Sequence, residues 1–214
     1  MVLQKEILKV FSTLEKHHQP TMLELLGDYT PFQMLVMTLL SARTKDSFVI
    51  PLVKRLFAKY PNPEDFIAMP IKDLEAWLYG VGFYRVKAKH VKKLSQIIVD
   101  KYHGKIPETL EELTALPGVG RKTANCILAY TFGIPAIAVD IHVHRISNRL
   151  GWVDTKTSEE TEMELMKLVP KNHWNDVNKL LVDHGQRICL PRTPLCKNCS
   201  VTKYCAYYLQ NLSQ

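Results

Sequence analysis

The run Leu116-Pro117-Gly118-Val119-Gly120-Arg121-Lys122-Thr123-Ala124 constrains this chain more than any other, because it sets a proline and two glycines between two stretches of helical patterning. Ahead of it, Thr109 and Glu112 make a capping-box pattern before the apolar Leu110, Leu113 and Leu116, which predicts a first helix from about residue 110 to the turn. After it, Ala124, Ile127 and Leu128 share one face of a second helix. Gly118 and Gly120 are free to take left-handed dihedrals, and they let backbone N–H groups close on a phosphate that the start of the second helix also attracts. The unit, about 109–132, reads as a helix-hairpin-helix. It is an anion site of Gly118, Val119, Gly120 and Arg121 with a primary amine, Lys122, attached.

Helical periodicity dominates elsewhere. Ile7, Val10, Phe11 and Leu14 share one face, as do Val91, Leu94 and Ile98. Thr30, Pro31 and Gln33 supply an N-cap, a first-turn proline and a capping-box partner. Thr157 with Glu160 opens a segment bearing Met163, Met166 and Leu168, and a further helix should run from about Asn172 into a cysteine-rich stretch. Proline and glycine mark the joins at Pro61-Asn62-Pro63, Pro70, Gly80 to Gly82, Gly104 and Gly133-Ile134-Pro135. Val139, Ile141 and Val143 alternate with Asp140, His142 and His144, which by period alone is a strand. The alternation is too short and no partner strand is evident, so the fold class expected is all-α.

At 214 residues and 46% hydrophobic content the chain can bury one large core or two small ones. Lys and Arg total 28 against 21 Asp and Glu, and the net charge of +7 suits a polyanionic partner. No apolar run approaches the roughly 20 residues a bilayer requires, and Met1 to Glu6 lack a signal-peptide pattern, so no membrane association and an intracellular location are expected. Four of the five cysteines fall in Cys189-x6-Cys196-x2-Cys199-x5-Cys205. That grouping suits a metal or cluster site in a reducing compartment better than a disulfide framework. Zinc and iron–sulfur both remain open on spacing, although only Cys196 and Cys199 have knuckle spacing. Cys126 reads as a core residue. Arg85, Lys87, Lys89, Lys92 and Lys93 lie at mixed helical angles and read as a solvated face, and His142 and His144 have no ligand spacing.

The hairpin with its lysine, Val139-Asp140-Ile141-His142 and the four terminal cysteines occur in one order with Leu40-Ser41-Ala42 and Gly82-Phe83-Tyr84. Together they resemble the endonuclease III family of bifunctional DNA glycosylases and abasic-site lyases over nearly the whole chain. The resemblance implies two lobes with a DNA cleft between them: a six-helix lobe from about 22 to 134, and a second lobe of residues 1–21 plus 135–214. It implies one 4Fe-4S cluster per chain on Cys189, Cys196, Cys199 and Cys205, structural rather than redox-active, shaping the loop 189–205. Arg192, Lys197 and Lys203 in that loop have no acidic neighbour. They suit phosphate contacts, the alternative being a solvated basic loop.

The resemblance further implies base excision repair of damaged, oxidised pyrimidines in duplex DNA, with cleavage 3′ to the abasic site by β-elimination. Lys122 is then the nucleophile toward C1′ of the deoxyribose. An ordinary lysine, with a pKa of about 10.4, is mostly charged at neutral pH, but the first turn of a helix and the adjacent Arg121 both disfavour the ammonium. The hairpin alone favours a lysine that merely neutralises a phosphate; the other motifs of the resemblance make it the nucleophile. Asp140 matches the family's catalytic aspartate, which stabilises the electron-poor sugar; a helix N-cap is the other reading. Phe83 matches the apolar wedge that fills the gap left by an extruded base, and the bland reading is a core aromatic. Arg43 stands where relatives commonly carry a glutamine that contacts the opposite base, a departure that leaves opposite-base preference undecided. A monomer is expected, acting on duplex DNA with damaged bases or abasic sites, cytoplasmic and nucleoid-associated in a prokaryote. The alternatives are a mismatch glycosylase removing thymine or uracil opposite guanine, and a non-catalytic DNA clamp.

Overall fold

Thirteen α-helices and no strand are found among the described residues, 2–26 and 28–211 of the computed structural model. Met1, Gly27 and residues 212–214 fall within the two expected lobes but lie outside the described residues; no predicted site residue is among them. The helices are α1 (Val2–Glu15), α2 (Met22–Leu25), α3 (Pro31–Ser41), α4 (Asp46–Lys59), α5 (Pro63–Ala68), α6 (Ile71–Trp77) and α7 (Tyr84–Tyr102). They continue with α8 (Leu110–Thr114), α9 (Arg121–Thr131), α10 (Ile141–Leu150), α11 (Ser158–Leu168), α12 (Trp174–Arg187) and α13 (Ala206–Asn211). The chain divides into two compact units, Leu26–Phe132 and Met1–Leu25 with Gly133–Gln214.

In the unit Leu26–Phe132, α3 is apolar on every side and buried from Phe32 to Leu40, which makes it the central element. It is started by Thr30 and Gln33, whose reciprocal side-chain bonds form a full capping box, with Pro31 at the first turn. Helices α4, α7 and α9 pack around it. Val91, Leu94 and Ile98 bury one face of α7, and Ala124, Ile127 and Leu128 one face of α9, as their spacing predicts. This unit carries seven helical segments among its described residues, with Pro70 separating α5 from α6 because it has no N–H to donate.

The unit of the two chain ends has its own core. Ile7, Val10, Phe11 and Leu14 of α1 pack with Val143 and Ile146 of α10 and with Val177, Leu180 and Leu181 of α12. The strand-like alternation at 139–144 resolves into an extended, buried approach, Ala136–Val139, followed by the start of α10 at Ile141. Asn175 and Asn178 of α12 strap that approach down: Ala136 N–H donates to Asn175 Oδ1 at 3.0 Å, and Asn178 Nδ2 donates to the Ala138 carbonyl at 2.7 Å.

Several local expectations need correction. Met163 and Met166 of α11 are exposed, and the buried stripe is Thr161, Glu162 and Leu165, because the side of α11 turned to the core is set by its packing on α10. The helix expected from about Asn172 begins as a 3₁₀ turn, Lys171–His173, behind Pro170 and becomes α-helical at Trp174. Thr109 caps α8 through Glu112 N–H, but the Glu112 carboxylate accepts a hydrogen bond from the Thr109 hydroxyl at 2.7 Å instead of completing the box.

Candidate active site and DNA interface

Two buried leucines, Leu113 and Leu116, anchor α8 and the turn of the hairpin, and α8 is shorter than its sequence pattern because the chain turns at Ala115. Gly118 has φ +78°, and a Cβ there would stand 2.5 Å from Nδ1 of His90 on α7. Only glycine fits both the dihedral and the close packing. Gly120 does not adopt the left-handed region expected of it; it is the extended N-cap of α9, with φ −91° and ψ 173°, and a Cβ there would meet nothing within 4 Å. The open space suits close backbone approach by an outside group. Val119 is corrected as a surface contact: its side chain is buried, and its N–H donates to the Leu116 carbonyl at 3.1 Å. The turn therefore spends Val119 on its own stability and leaves Gly120 and the first turn of α9 for an anion. Arg121 there is exposed and Lys122 half-buried.

A second surface feature of this unit lies at the start of α7. Phe83 is 61% exposed and its φ of +58° is left-handed, an uncommon state for an aromatic residue. It is not a core residue. Arg43 is also left-handed, with φ +55°, and its guanidinium lies 5.3 Å from the centre of the Phe83 ring. Gly82 makes the approach possible, since a Cβ on it would stand 2.5 Å from the Arg43 carbonyl oxygen, and its N–H donates to Thr44 Oγ1 at 3.1 Å. Two of the lysines read as solvated are not. Lys87 is buried with Nζ donating to the carbonyls of Leu40 and Ala42, and Lys92 donates to Phe66, Ile67 and Met69. Each closes the carbonyl end of a helix, α3 and α5 respectively, a role that helical angles alone cannot distinguish from solvation.

In the other unit, Asp140 is the N-cap of α10, its Oδ1 accepting from His142 N–H at 2.8 Å and Val143 N–H at 2.9 Å. One carboxylate oxygen thus carries the cap. Sequence reasoning missed Arg145 and Arg149, one and two turns further along α10. Arg145 Nη2 donates to the Gly185 and Cys189 carbonyls at 3.2 and 2.8 Å. Arg149 Nη1 donates to the Leu190 carbonyl at 2.7 Å and to Cys189 Sγ at 3.3 Å, and Nη2 to the Pro191 carbonyl at 2.6 Å. Their spacing of four on the helix that Asp140 starts is the signal that could have found them. His142 packs on Gly185, where a Cβ would meet its Nδ1 at 2.6 Å, and His144 bonds Thr161 at 2.7 Å.

Cys189, Cys196, Cys199 and Cys205 are free thiols that line one pocket with Ile146, Leu150 and Val201. His184 Nε2 lies 3.6 Å from Cys199 Sγ. Burial, with the neighbouring cysteines adding to it, pushes the Cys199 and Cys205 thiols up, and burial lowers His184 to about 4. Among the described residues no group of three or more His, Cys, Asp or Glu is arranged around a single metal ion. Four soft donors around one apolar-walled space are a donor set that suits a thiolate-bound metal ion or cluster. Arg192, Lys197 and Lys203 are all exposed on the loop, and Lys203 Nζ rests 4.9 Å from the Tyr204 ring centre. Cys126 is fully buried in α9. No helix among the described residues is long and apolar enough to cross a membrane.

An all-helical fold with a helix-hairpin-helix and a lysine just behind its turn defines a class, and residues 36–171 match the HhH-GPD superfamily of base excision DNA repair proteins. Endonuclease III of Thermotoga maritima is 45% identical over 96% of this chain and 92% of its own. A non-covalent endonuclease III–DNA complex superposes with a TM-score of 0.90 at 36% identity, covering 99% of both chains. A thermostable thymine-DNA glycosylase superposes with a TM-score of 0.84 at 25% identity, covering 97% of both. The chain belongs to the endonuclease III family of that superfamily. It is a DNA glycosylase and abasic-site lyase of base excision repair, and the reading as a non-catalytic clamp is set aside.

Proposed function

We propose that the enzyme removes damaged, oxidised pyrimidines from duplex DNA and cuts 3′ to the resulting abasic site, with Lys122 as nucleophile and Asp140 as its carboxylate partner. The position of Lys122 on the first turn of α9, directly behind the open Gly120 N-cap, carries this reading. A phosphate held at that helix start would bring the sugar within reach of the amine. The uncharged Lys122 amine attacks C1′ and sheds a proton, the glycosidic bond breaks, and the base departs with the bonding pair and takes up a proton; the C1′–O4′ bond then opens, O4′ taking up a proton, to leave a Schiff base between Lys122 and C1′. Loss of a C2′ proton then expels the 3′ phosphate, and water releases the sugar and regenerates the amine. The Asp140 carboxylate stabilises the cationic sugar and assists the proton transfers.

Phe83 acts as the wedge and Arg43 meets the opposite strand, supported by their exposure and mutual stacking. Gly118, Gly120 and Arg121 hold backbone phosphate, with Arg192, Lys197 and Lys203 as further phosphate contacts. Cys189, Cys196, Cys199 and Cys205 would hold one 4Fe-4S cluster, which would stiffen the basic loop; Arg145 and Arg149 pin the start of that loop to α10. The enzyme works as a monomer inside the cell, next to its DNA. Removal of thymine or uracil opposite guanine is the second reading, favoured by the likeness to the thymine-DNA glycosylase.

Borohydride reduction on a duplex with one abasic site tests the chemistry. The wild-type chain should become covalently attached and Lys122→Ala should not; undiminished trapping by folded Lys122→Ala would sink the assignment. A panel of duplexes pairing each lesion with each opposite base separates the two substrate readings.

A further inference from the structure

Three features of the unit Leu26–Phe132 are seated along the first two turns of α7: the Phe83 ring at its N-cap, Lys87 one turn later, and His90, against which Gly118 of the hairpin packs. Phe83 to His90 is seven residues, which at about 1.5 Å rise per residue is about 10 Å along the helix axis. That distance corresponds to about three steps of a duplex strand at roughly 3.4 Å each. The exposed aromatic and the hairpin turn are therefore spaced along α7 to engage nucleotides about three steps apart on one duplex, provided the loop that carries Arg43 does not move.

Lys87 is what fixes that loop to α7. Its Nζ donates to the Leu40 carbonyl at 2.9 Å and also to that of Ala42, immediately before left-handed Arg43. Only 7% of Lys87 is exposed and its Nζ donates to two carbonyls, so this amine is held for those partners and not for solvent; burial disfavours its charged form and lowers its pKa to about 8. From the same side, Thr44 Oγ1 takes the Gly82 N–H and the Arg43 carbonyl rests on Gly82. The result is a knuckle of two strained residues, Arg43 and Phe83, locked before DNA arrives. An ordered probe does not lose its freedom at the moment it enters the stack.

We propose that Lys87 is a positioning residue for base extrusion: it holds the Arg43–Phe83 knuckle at a fixed distance from the hairpin so that the knuckle can replace the departing nucleotide. The proposal rests on the wedge reading of Phe83. It requires Lys87 to matter for substrates that must be opened and not for those already open. The test compares single-turnover excision of a well-paired damaged pyrimidine with cleavage of an abasic duplex, using the intact protein. Lys87→Met keeps the length of the side chain and removes its hydrogen bonds, and should slow excision by about tenfold, with abasic cleavage changed by less than about twofold. Phe83→Ala should show the same selectivity, and Lys87→Met added to Phe83→Ala should cost nothing further, since both act through one device.

Thr44→Val, which removes the Gly82 contact and leaves the buried cation alone, repeats the test if Lys87→Met does not fold. Parallel losses on both substrates, or losses that multiply in the double variant, overturn the positioning role. If Phe83→Ala alone leaves excision unchanged, the wedge reading fails and the proposal falls with it; if Phe83→Ala is selective but Lys87→Met and Thr44→Val are not, only the proposal fails.

Discussion

Asp140 is the N-cap of α10 and the proposed catalytic carboxylate, and a pair of substitutions separates the two roles. Its Oδ1 accepts two amides at the start of α10, at 2.8 and 2.9 Å. Replacing it with alanine removes both bonds and should cost about 1 to 2 kcal/mol, the usual loss for an N-cap. In a chain of this size that lowers the melting temperature by roughly 2–4 °C per kcal/mol. Asparagine keeps the acceptor oxygen and loses only the attraction between the charge and the helix N-terminus, about 0.3 to 1 kcal/mol. A capping role therefore ranks the variants as wild type, then Asp140→Asn, then Asp140→Ala, in every assay. The catalytic role ranks them differently, because stabilisation of a cationic sugar depends on the charge that both variants lack. Both should lose excision by about a hundredfold or more under single-turnover conditions at saturating enzyme, despite unequal stabilities. Melting curves and excision rates on the same preparations decide it. Asp140→Asn with a rate near wild type, and Asp140→Ala impaired only as far as it is unfolded, would reduce Asp140 to a cap.

Two further outcomes follow from the terminal loop. Protein purified without oxygen should be brown with about four irons per chain, as thiolate-bound clusters of this kind are, and Cys199→Ala should lose the colour; stoichiometric zinc in a colourless active preparation would refute the cluster. Neutral replacement of Arg192, Lys197 or Lys203, read by binding titrations across a salt series, should weaken binding to all duplexes alike and flatten the salt dependence by roughly one counterion for each phosphate no longer neutralised, whereas an unchanged slope means the residue does not meet phosphate.

The all-helical class, the hairpin, the capping residues Thr30, Asp140 and Thr157 and the four-cysteine loop were legible in the sequence. They depend on neighbours within a few residues: a cap needs only the next turn, and a glycine turn only its own dihedrals. Tertiary structure decided what depends on distant partners. The sequence could not tell that Lys87 is buried and that Lys92 is turned onto backbone carbonyls, because the carbonyls they satisfy belong to α3 and to the end of α5, far away along the chain. Nor could it tell that Gly118 answers to His90 while Gly120 faces open space, since the same residue type serves both. Phe83 was ambiguous between an exposed and a core aromatic until its surroundings were known. An aromatic ring has the same hydrophobicity in either place, and here it is exposed beside the close approach of Gly82 to Arg43.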